Sequence, residues 1–273
     1  MYKHSQQIAL IAIIGALIFT FAAFSGLHFW YAGFVFFFWL SLSALNYRHK
    51  TSLWVLKNNT RRFIYLYSFL FILGFIGDFV IGIHIANLWI YPQYDVIWKW
   101  ILLYTIVYPC GGLSLVETIF FLANIFKEKF VFTHGKEGID AVLNISDHLL
   151  DGLITILVVA KLLSSLIGLR FVFEHIILFG FLLWMILATI RFMYHIKHAW
   201  HWFAIILGTV FMSIFLHEIP NLAVLEWKYF HGPFLNTPLI FGIQPWVFVG
   251  WYFMTLLMLR VWVRLVWASR HRI

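Results

Sequence analysis

The chain consists of long apolar stretches separated by short polar segments. Eight such stretches cover, approximately, residues 8–25, 29–46, 62–83, 98–126, 149–168, 171–192, 200–224 and 245–266. About 20 apolar residues are needed for a helix to cross the bilayer core of about 30 Å, although the second and fifth stretches are short. Strands of a membrane β-barrel would alternate apolar and polar residues, and these stretches do not. The pattern predicts an all-α, polytopic transmembrane bundle with about eight spans.

The composition agrees with this prediction, since 63% of the residues are hydrophobic and 11% are charged. A soluble domain has about 45–50% apolar and about 25% charged residues. The net charge of +8 therefore does not indicate a nucleic-acid partner, because the basic residues are placed at helix ends, beside the head groups of a lipid bilayer, instead of forming one patch.

The distribution of Lys and Arg predicts the orientation of the chain. With eight spans, one side carries Lys99, Arg170 and Lys228, and Lys161 lies inside the fifth span. The other side, which includes both termini, carries fifteen basic residues: Lys3, Arg48, Lys50, Lys57, Arg61, Arg62, Lys127, Lys129, Lys136, Arg191, Lys197, Arg260, Arg264, Arg270 and Arg272. Because Lys and Arg are enriched in cytoplasmic loops, both termini are predicted to be cytoplasmic.

The chain is predicted to have two halves. A first half of four spans covers 1–126, a polar cytoplasmic segment covers 127–148, and a second half of four spans covers 149–273. Each half has an acid late in its third span, then a Trp-x-Tyr about ten residues further on, then a loop that contains proline. This similarity predicts two four-helix repeats in parallel orientation. Chance similarity between apolar helices is the alternative.

Three carboxylates, Asp78, Glu117 and Glu218, fall inside predicted spans. Ionisable groups at membrane depth are costly and face the bundle interior, where they commonly serve function. From their positions in the helices, the three acids are predicted to line one cavity between the midplane and the outer leaflet. The alternative is that each acid forms local hydrogen bonds to Tyr, Trp or backbone groups of neighbouring helices.

Two details of the spans indicate how the acids are placed. Gly74, Asp78 and Gly82 are spaced by four residues and share one helix face, so the small residues are expected to allow close approach of another element. In the fourth stretch, Pro109 and the pair 111–112 (Gly-Gly) are expected to interrupt or kink the helix.

Aromatic residues make up 21% of the chain. Aromatic faces stabilise cations, and flat rings suit polyene chains, although lipid contact and helix packing account for most Phe residues. Tyr and Trp also prefer the membrane interface. That preference is sufficient to explain most of those at the predicted outer boundaries, namely Trp89, Tyr91, Trp98, Trp227, Tyr229 and Trp246.

The histidines do not predict a metal site. His195 and His198 could share a helix face, whereas a spacing of six residues turns His201 away from His195. The histidine motifs of the membrane di-iron oxygenases, H-x-x-x-H and H-x-x-H-H, do not occur in the sequence. Histidines at the membrane interface are therefore the favoured interpretation, and no metal is predicted. The single Cys110 cannot form an internal disulfide.

The segment "SLVETIFFL" resembles the lycopene cyclase domain of small carotenoid enzymes. The family pattern is approximately Pro-[Ile/Val]-Glu-Glu-x-x-Phe-Phe. Glu117 matches the second Glu, Phe120 and Phe121 match the Phe pair, and Val116 stands where the family has its first Glu. An Asp in the preceding helix, followed by Trp-x-Tyr, is also typical of the family and is similar to Asp78 with 89–91 (Trp-Ile-Tyr).

The tail "PFLNTPLIFGIQPWVFVGW" resembles the related carotenoid-hydratase type, with Gln244 interrupting the Gly-Ile-Pro of that type. The resemblance implies an integral protein of a prokaryotic plasma membrane that cyclises or hydrates the end of a polyene by protonation. A carboxylic acid kept protonated in an apolar site can donate that proton. The implied catalytic residues are Glu117 as donor, with Asp78 and Glu218 orienting it or taking the proton back.

The substrate is expected to be a carotenoid or another isoprenoid lipid. The residues predicted to contact it are His217, Phe120, Phe121, Trp251 and Asn221, of which the rings of Phe120, Phe121 and Trp251 would steady a carbocation. No cofactor is evident, and the family resemblance alone allows a reduced flavin. Two alternatives stay open, a non-catalytic lipid-binding or accessory protein and a proton-coupled transporter. The oligomeric state is not predicted.

Overall fold

The computed structural model describes residues 2–47, 49, 60–85, 88–131, 170–229 and 239–263, and in addition 152, 153, 155, 156, 159, 160 and 163. The chain divides into two compact units, Met1–Lys127 with Ile205–Ile273, and Glu128–Ala204. Most of the predicted connecting segment 127–148 lies outside the described residues, as does Lys161. The predicted division into halves stays a prediction.

The described residues form seven continuous helices and one pair of short strands. Four helices are uninterrupted: α1 (Tyr2–Phe24), α2 (Trp30–Tyr47), α5 (Arg170–His195) and α7 (Pro245–Trp262). The other three contain wider π-helical segments: α3 (Thr60–Gly74, then π Phe75–Ile85), α4 (Ile97–Leu102, π Leu103–Val107, then Tyr108–Ile125) and α6 (Ala199–Ser213, π Ile214–Glu218, then Ile219–Val224). Strands β1 (Trp89–Ile90) and β2 (Lys228–Tyr229) pair antiparallel.

Five helices are long and apolar enough to cross a membrane: His4–Phe24, Thr60–His84, Ile97–Ile125, Ala199–Val224 and Pro245–Trp262. They correspond to the first, third, fourth, seventh and eighth predicted stretches. The second stretch forms the helix α2, and the sixth lies in α5. Most of the fifth stretch lies outside the described residues. The prediction of a helical integral membrane protein is confirmed in this coarser form.

Two of the π-helical segments end two residues before a proline. Proline lacks an N–H donor and its ring presses against the carbonyl four residues earlier, which disrupts the regular helical hydrogen bonds. For Pro109 that carbonyl belongs to Thr105, inside the π segment, and it accepts a hydrogen bond from the Tyr67 hydroxyl of α3 instead. Pro220 follows the π segment of α6 in the same way. The expected interruption of the fourth span is thus a wide turn before Pro109.

The first unit has a core cluster rich in aromatic side chains and an apolar outer surface. Trp30, Phe34 and Phe38 of α2 pack with Cys110 of α4 and with Trp227, which precedes β2. Outside, α1 exposes large apolar side chains such as Phe21, which is 73% exposed. Because an apolar exterior around buried polar groups suits lipid and not water, this surface agrees with a place in the bilayer.

Candidate functional site

Asp78 lies in the π segment of α3 and is 2% exposed. Its two oxygens accept hydrogen bonds from three neutral donors. The Trp89 indole N–H donates to Oδ1 at 2.5 Å, the Tyr91 hydroxyl donates to Oδ1 at 3.0 Å, and the Tyr104 hydroxyl donates to Oδ2 at 2.8 Å. The carboxyl is therefore held by the Trp-x-Tyr segment that follows α3 and by the start of α4. We call these four residues the Asp78 group.

Two glycines on the Asp78 face allow this arrangement. A Cβ on Gly74 would lie 2.4 Å from the ring of Tyr108, and a Cβ on Gly82 would lie 2.3 Å from the ring of Trp89. Both distances are far below van der Waals contact, so only glycine leaves room for these rings. The predicted close approach along this face is confirmed. The Tyr108 hydroxyl in turn lies 3.1 Å from the Tyr91 hydroxyl, which extends the hydrogen-bond network of the Asp78 group.

Glu218 ends the π segment of α6 and is 3% exposed. The Trp227 indole N–H donates to Oε2 at 3.1 Å, and the Tyr229 hydroxyl and the Trp251 indole N–H donate to Oε1 at 2.8 and 2.9 Å. Tryptophan N–H groups can only donate, so both Glu218 oxygens act as acceptors. We call these four residues the Glu218 group.

Asn221 positions one donor of the Glu218 group. Its side-chain amide donates to the Trp227 carbonyl at 2.9 Å, and its Oδ1 accepts from the Trp227 backbone N–H at 3.1 Å. Between the two residues, Leu225 adopts a left-handed conformation that ends α6. These bonds hold the turn that places the Trp227 indole over Glu218. The predicted role of Asn221 as a substrate contact stays a prediction.

The two groups meet at the strand pair. Trp89 of β1 is paired with Tyr229 of β2, and Ile90 with Lys228. The rings of Trp89 and Tyr229 contact each other edge to face, with their centroids 6.2 Å apart. Each acid is thus bonded by the Trp-x-Tyr of its own half, and the two Trp-x-Tyr segments lie antiparallel. The alternative expectation of local hydrogen bonds to Tyr and Trp describes Asp78 and Glu218, although the interface preference was expected to explain most of these rings.

His217 is fully buried beside Glu218. Its Nδ1 lies 2.7 Å from the Tyr31 hydroxyl, while its Nε2 has no hydrogen-bond partner within the described part of the chain. Aromatic rings surround the imidazole, with centroids 5.3 Å away for Phe34 and 4.9 Å away for Trp251. A buried imidazole nitrogen without a partner is costly, so this atom is the best candidate for direct contact with a bound molecule.

Glu117 has a different set of partners from the other two acids. It is 1% exposed. Its Oε1 accepts from the Ser43 hydroxyl at 3.0 Å and its Oε2 from the Asn46 amide at 2.6 Å, both on α2. Asn46 is also bonded to the Glu117 backbone carbonyl and to the Asn124 amide. The three acids were predicted to line one cavity. In the structure, Asp78 and Glu218 belong to two neighbouring groups, and Glu117 belongs to a separate polar cluster.

The predicted aromatic contacts are divided in the same way. Phe120 is buried with its ring 4.5 Å from that of Trp262, and Phe121 packs against the aromatic core of the first unit. Trp251 belongs to the Glu218 group. Of the three rings predicted to steady a carbocation, only Trp251 is hydrogen-bonded to one of the predicted acids in the described residues.

Glu226 is a buried acid that sequence reasoning did not select. It is fully buried between α6 and β2, and its Oε1 accepts from the Tyr94 hydroxyl at 2.9 Å. Burial raises the pKa of Glu226 to about 7, against the effect of that hydrogen bond. Oε2 has no partner among the residues described. Glu226 was overlooked because it follows the seventh apolar stretch, although it directly precedes the Trp-x-Tyr of the second half.

One group of potential metal ligands occurs among the described residues, in the second unit: Glu128, His198 and His201. The expectation that His195 and His198 share a helix face is wrong. It assumed one continuous helix, whereas α5 ends at His195 and α6 begins at Ala199. The connecting His198 has a positive φ of 57°, and the turn brings His198 and His201 to the same carboxylate.

No family model, no curated protein and no solved structure matches this chain. Its activity must therefore be argued from the geometry of its own residues.

Proposed function

We propose that this integral membrane protein binds a carotenoid or another isoprenoid lipid and catalyses proton-dependent cyclisation or hydration of a polyene end. The observation that carries the proposal is the pair His217 and Glu218, buried in one wide helical turn and enclosed by aromatic side chains. An apolar, aromatic enclosure with proton-transferring groups is what a carbocation reaction needs, because the rings stabilise the cation and exclude water that would quench it.

The reaction requires one proton donor and one acceptor. Protonation of a terminal C=C bond forms a C–H bond and leaves a carbocation. In cyclisation a second C=C bond attacks the cation to form the ring, and loss of a neighbouring proton to a base restores a double bond. In hydration a water molecule adds to the cation and then loses a proton. The partner-free Nε2 of His217 suits the acceptor, and Glu218 suits the donor when it is protonated.

Glu117 is the competing donor, since the family resemblance assigns that role to it. Its burial and its bonds to Ser43 and Asn46 on α2 support a polar function at that depth. The described hydrogen bonds of Glu117 are nevertheless made to residues of α2. Trp251 and His217 are not among these partners. A reduced flavin enters this proposal only through the family resemblance, and no described residue is assigned to it.

We further propose the complete architecture of eight spans in two parallel four-helix repeats, with both termini in the cytoplasm of a prokaryote. The matched groups support the repeat. In each half an acid of a π-helical segment accepts hydrogen bonds from the Trp and Tyr of the following Trp-x-Tyr, at 2.5 and 3.0 Å for Asp78 and at 3.1 and 2.8 Å for Glu218. The Trp and Tyr lie 11 and 13 residues after Asp78 and 9 and 11 residues after Glu218, so the two groups share their chemistry and the order of their residues.

A second candidate is a non-catalytic isoprenoid-binding protein. The supporting observation is that every oxygen of Asp78 and Glu218 already accepts a hydrogen bond from a Trp or Tyr side chain. Acids bonded in this way can serve as structural joints between helices and loops. In that case the polyene would bind without reacting.

The test is expression of the chain in a bacterium that accumulates lycopene, followed by chromatography of the pigments. We expect cyclised or hydrated products with the unchanged chain and their loss with Glu218→Gln. Loss with Glu117→Gln alone would move the donor role to Glu117. Unchanged pigments with folded protein in the membrane would contradict lycopene chemistry. Pigment that copurifies unchanged would then favour the binding protein, and proton-coupled uptake in liposomes would favour a transporter.

A further inference from the structure

The second unit contains a group of metal-ligating side chains that the proposed function does not use. The Glu128 carboxylate joins two imidazoles: its Oε2 lies 2.9 Å from His198 Nδ1 and its Oε1 lies 2.5 Å from His201 Nδ1. All three ligand atoms lie within 4.8 Å of one another. Glu128 is largely buried, with 11% of its side chain exposed, while the imidazoles are 53% and 68% exposed. One face of the group is therefore open to a small solute.

A framework that needs no metal holds the three ligands in place. The His198 carbonyl accepts from the backbone N–H groups of His201, at 2.9 Å, and Trp202, at 3.2 Å, so one tight turn sets the spacing of the two histidines. The segment 128–131 is attached to the same turn, because the Lys197 N–H donates to the Val131 carbonyl at 3.0 Å. The Phe130 ring packs edge to face on Trp202, with centroids 4.9 Å apart.

From this geometry we propose that Glu128, His198 and His201 form a binding site for a divalent transition metal, and that Zn²⁺ is the ion that fits it best. Two imidazoles and one carboxylate are a common protein ligand set for zinc, with the fourth position left to water. Imidazole ligands disfavour Mg²⁺ and Ca²⁺, which prefer oxygen. The proposal departs from the sequence-based expectation that these histidines are merely interfacial.

Metal binding needs a small expansion of the group. Zinc–nitrogen and zinc–oxygen bonds of about 2.0–2.2 Å place neighbouring tetrahedral ligand atoms roughly 3.3 Å apart. The present nitrogen–oxygen distances of 2.5 and 2.9 Å must therefore increase by less than about 1 Å, which exposed imidazoles can supply by rotation. The proton on each Nδ1 moves to Nε2, so that Nδ1 presents its lone pair to the metal.

The charges around the group limit its affinity. Lys129 and Lys197 are neighbours of the ligands in sequence, and the single carboxylate compensates only half of a divalent charge. The same side chains without a metal form an ion pair when an imidazole is protonated. A metal site and a simple ion pair predict different responses to zinc, which the following experiment measures.

The experiment uses the full-length protein, purified in detergent and freed of metal by a chelator. Zn²⁺ is titrated by calorimetry, and Co²⁺ by visible absorption, since a tetrahedral cobalt site gives intense bands. We expect one ion per chain in the unchanged protein. Glu128→Gln and His201→Gln should each weaken zinc binding by about tenfold or more, and the triple variant with His198→Gln should abolish it. Gln keeps an acceptor and side-chain volume at each position.

The exposed His4 provides a matched control, because His4→Gln removes a histidine outside the group. It should leave zinc binding unchanged. Thermal unfolding of each metal-free variant establishes that the fold is retained. Absence of zinc binding, or equal binding by the triple variant and the unchanged protein, would overturn the proposal. Zinc binding lost with His4→Gln but retained in the triple variant would do the same.

Discussion

The Asp78 group and the Glu218 group use the same framework with different neighbours. In both, an acid in a π-helical segment is bonded by the Trp and Tyr of the following Trp-x-Tyr. The residue before Asp78 is Gly77, which has no side chain to transfer a proton. The residue before Glu218 is His217, whose buried Nε2 has no described partner. The comparison teaches that the hydrogen-bonded joint is common to both groups, and that only Glu218 is directly preceded by an imidazole.

The loops before the two strands differ in a second way. Leu88 precedes the Trp-x-Tyr of the first half, and Glu226 precedes that of the second half. Glu226 is buried against Tyr94, a residue of the first half. The Trp-x-Tyr that follows Glu218 is therefore directly preceded by a further buried acid, whereas the Trp-x-Tyr that follows Asp78 is not. Four sets of substitutions test in which properties the Asp78 group and the Glu218 group agree and in which they differ.

The largest effect is expected from removing each acid. Glu218→Ala removes the described acceptor of the Trp251 indole and of the Tyr229 hydroxyl, while the Trp227 indole keeps only its bond to the Tyr229 hydroxyl. Each buried polar group without a partner costs about 1–3 kcal/mol, so the free energy of unfolding should fall by about 2 kcal/mol or more. Asp78→Ala should cause a loss of similar size.

Thermal or denaturant unfolding in detergent measures both variants. If the two losses in the free energy of unfolding differ by less than about 1 kcal/mol, the two groups are equivalent joints, since equivalent joints stabilise the fold by similar amounts. If Asp78→Ala has little effect while Glu218→Ala unfolds the protein, the two groups are not equivalent and the repeat loses its main support.

The next effect depends on pH and belongs to the second half alone. The pKa of Glu226 is raised to about 7 from an ordinary 4.5, so the folded protein binds a proton more tightly than the unfolded chain. The contribution of Glu226 to the free energy of unfolding is then greatest below pH 4.5 and is lost as the pH rises through about 7. The difference between the two pKa values corresponds to a loss of about 3 kcal/mol above pH 7.

Glu226→Gln should remove this loss. The variant should be more stable than the unchanged protein at pH 8 and equally stable at pH 4.5, as judged by unfolding temperatures at both values. The Tyr94 hydroxyl keeps an acceptor in the glutamine. Equal stability of the two proteins at pH 8 would mean that Glu226 titrates normally and that this difference between the halves has no energetic consequence.

A smaller effect is expected from a close contact that only the first half needs. In Gly82→Ala the new methyl group would lie 2.3 Å from the Trp89 ring, which must move away from Asp78. Overpacking of this kind costs about 1–3 kcal/mol. Gly77→Ala is the matched control, because no atom lies within 4 Å of its Cβ position.

The indole fluorescence and unfolding temperature of the two alanine variants give the measurement. Gly77→Ala should be neutral or slightly stabilising, since alanine favours helix over glycine. A Gly82→Ala variant as stable as the Gly77→Ala control would show that Trp89 has room to move and that its bond to Asp78 contributes little.

The smallest effect on stability, but a complete effect on activity, is expected at His217. The double change Tyr31→Phe with His217→Phe removes both partners of one hydrogen bond and keeps two buried rings. Removing both partners in this way is nearly neutral, so the free energy of unfolding should change by less than about 1 kcal/mol. Pigment conversion should be lost, because the proposed proton acceptor is absent. Conversion at the normal rate would remove His217 from the mechanism.

Sequence reasoning predicted the helices better than the groups. The apolar stretches 98–126 and 200–224 match the helices Ile97–Ile125 and Ala199–Val224 closely, because length and hydropathy are local properties. The burial of Asp78, Glu117 and Glu218 was also anticipated, since an acid in an apolar helix has few other places to go.

The partners of these acids could not be predicted from the same signals. The Tyr31 hydroxyl meets His217 across 186 positions of sequence, and no periodicity reports such a contact. The prediction for His195 and His198 was wrong for a different reason. It assumed one helix through both residues, whereas the chain turns at His198, which has a positive φ. Glu117 was predicted to share a cavity with the other two acids from its depth along the helix. That depth does not determine which way a side chain points around the helix axis.

The wide turns have a consequence for how this chain can vary. A residue in a regular helix turns the chain by about 100°, so a π segment holds an extra residue whose removal would rotate everything beyond it by that angle. One deletion between Ile214 and Glu218 would carry Asn221 and Pro220 onto a different side of their helix. Insertions and deletions at these three places thus change which side chains face inward, while the count of apolar residues stays almost the same.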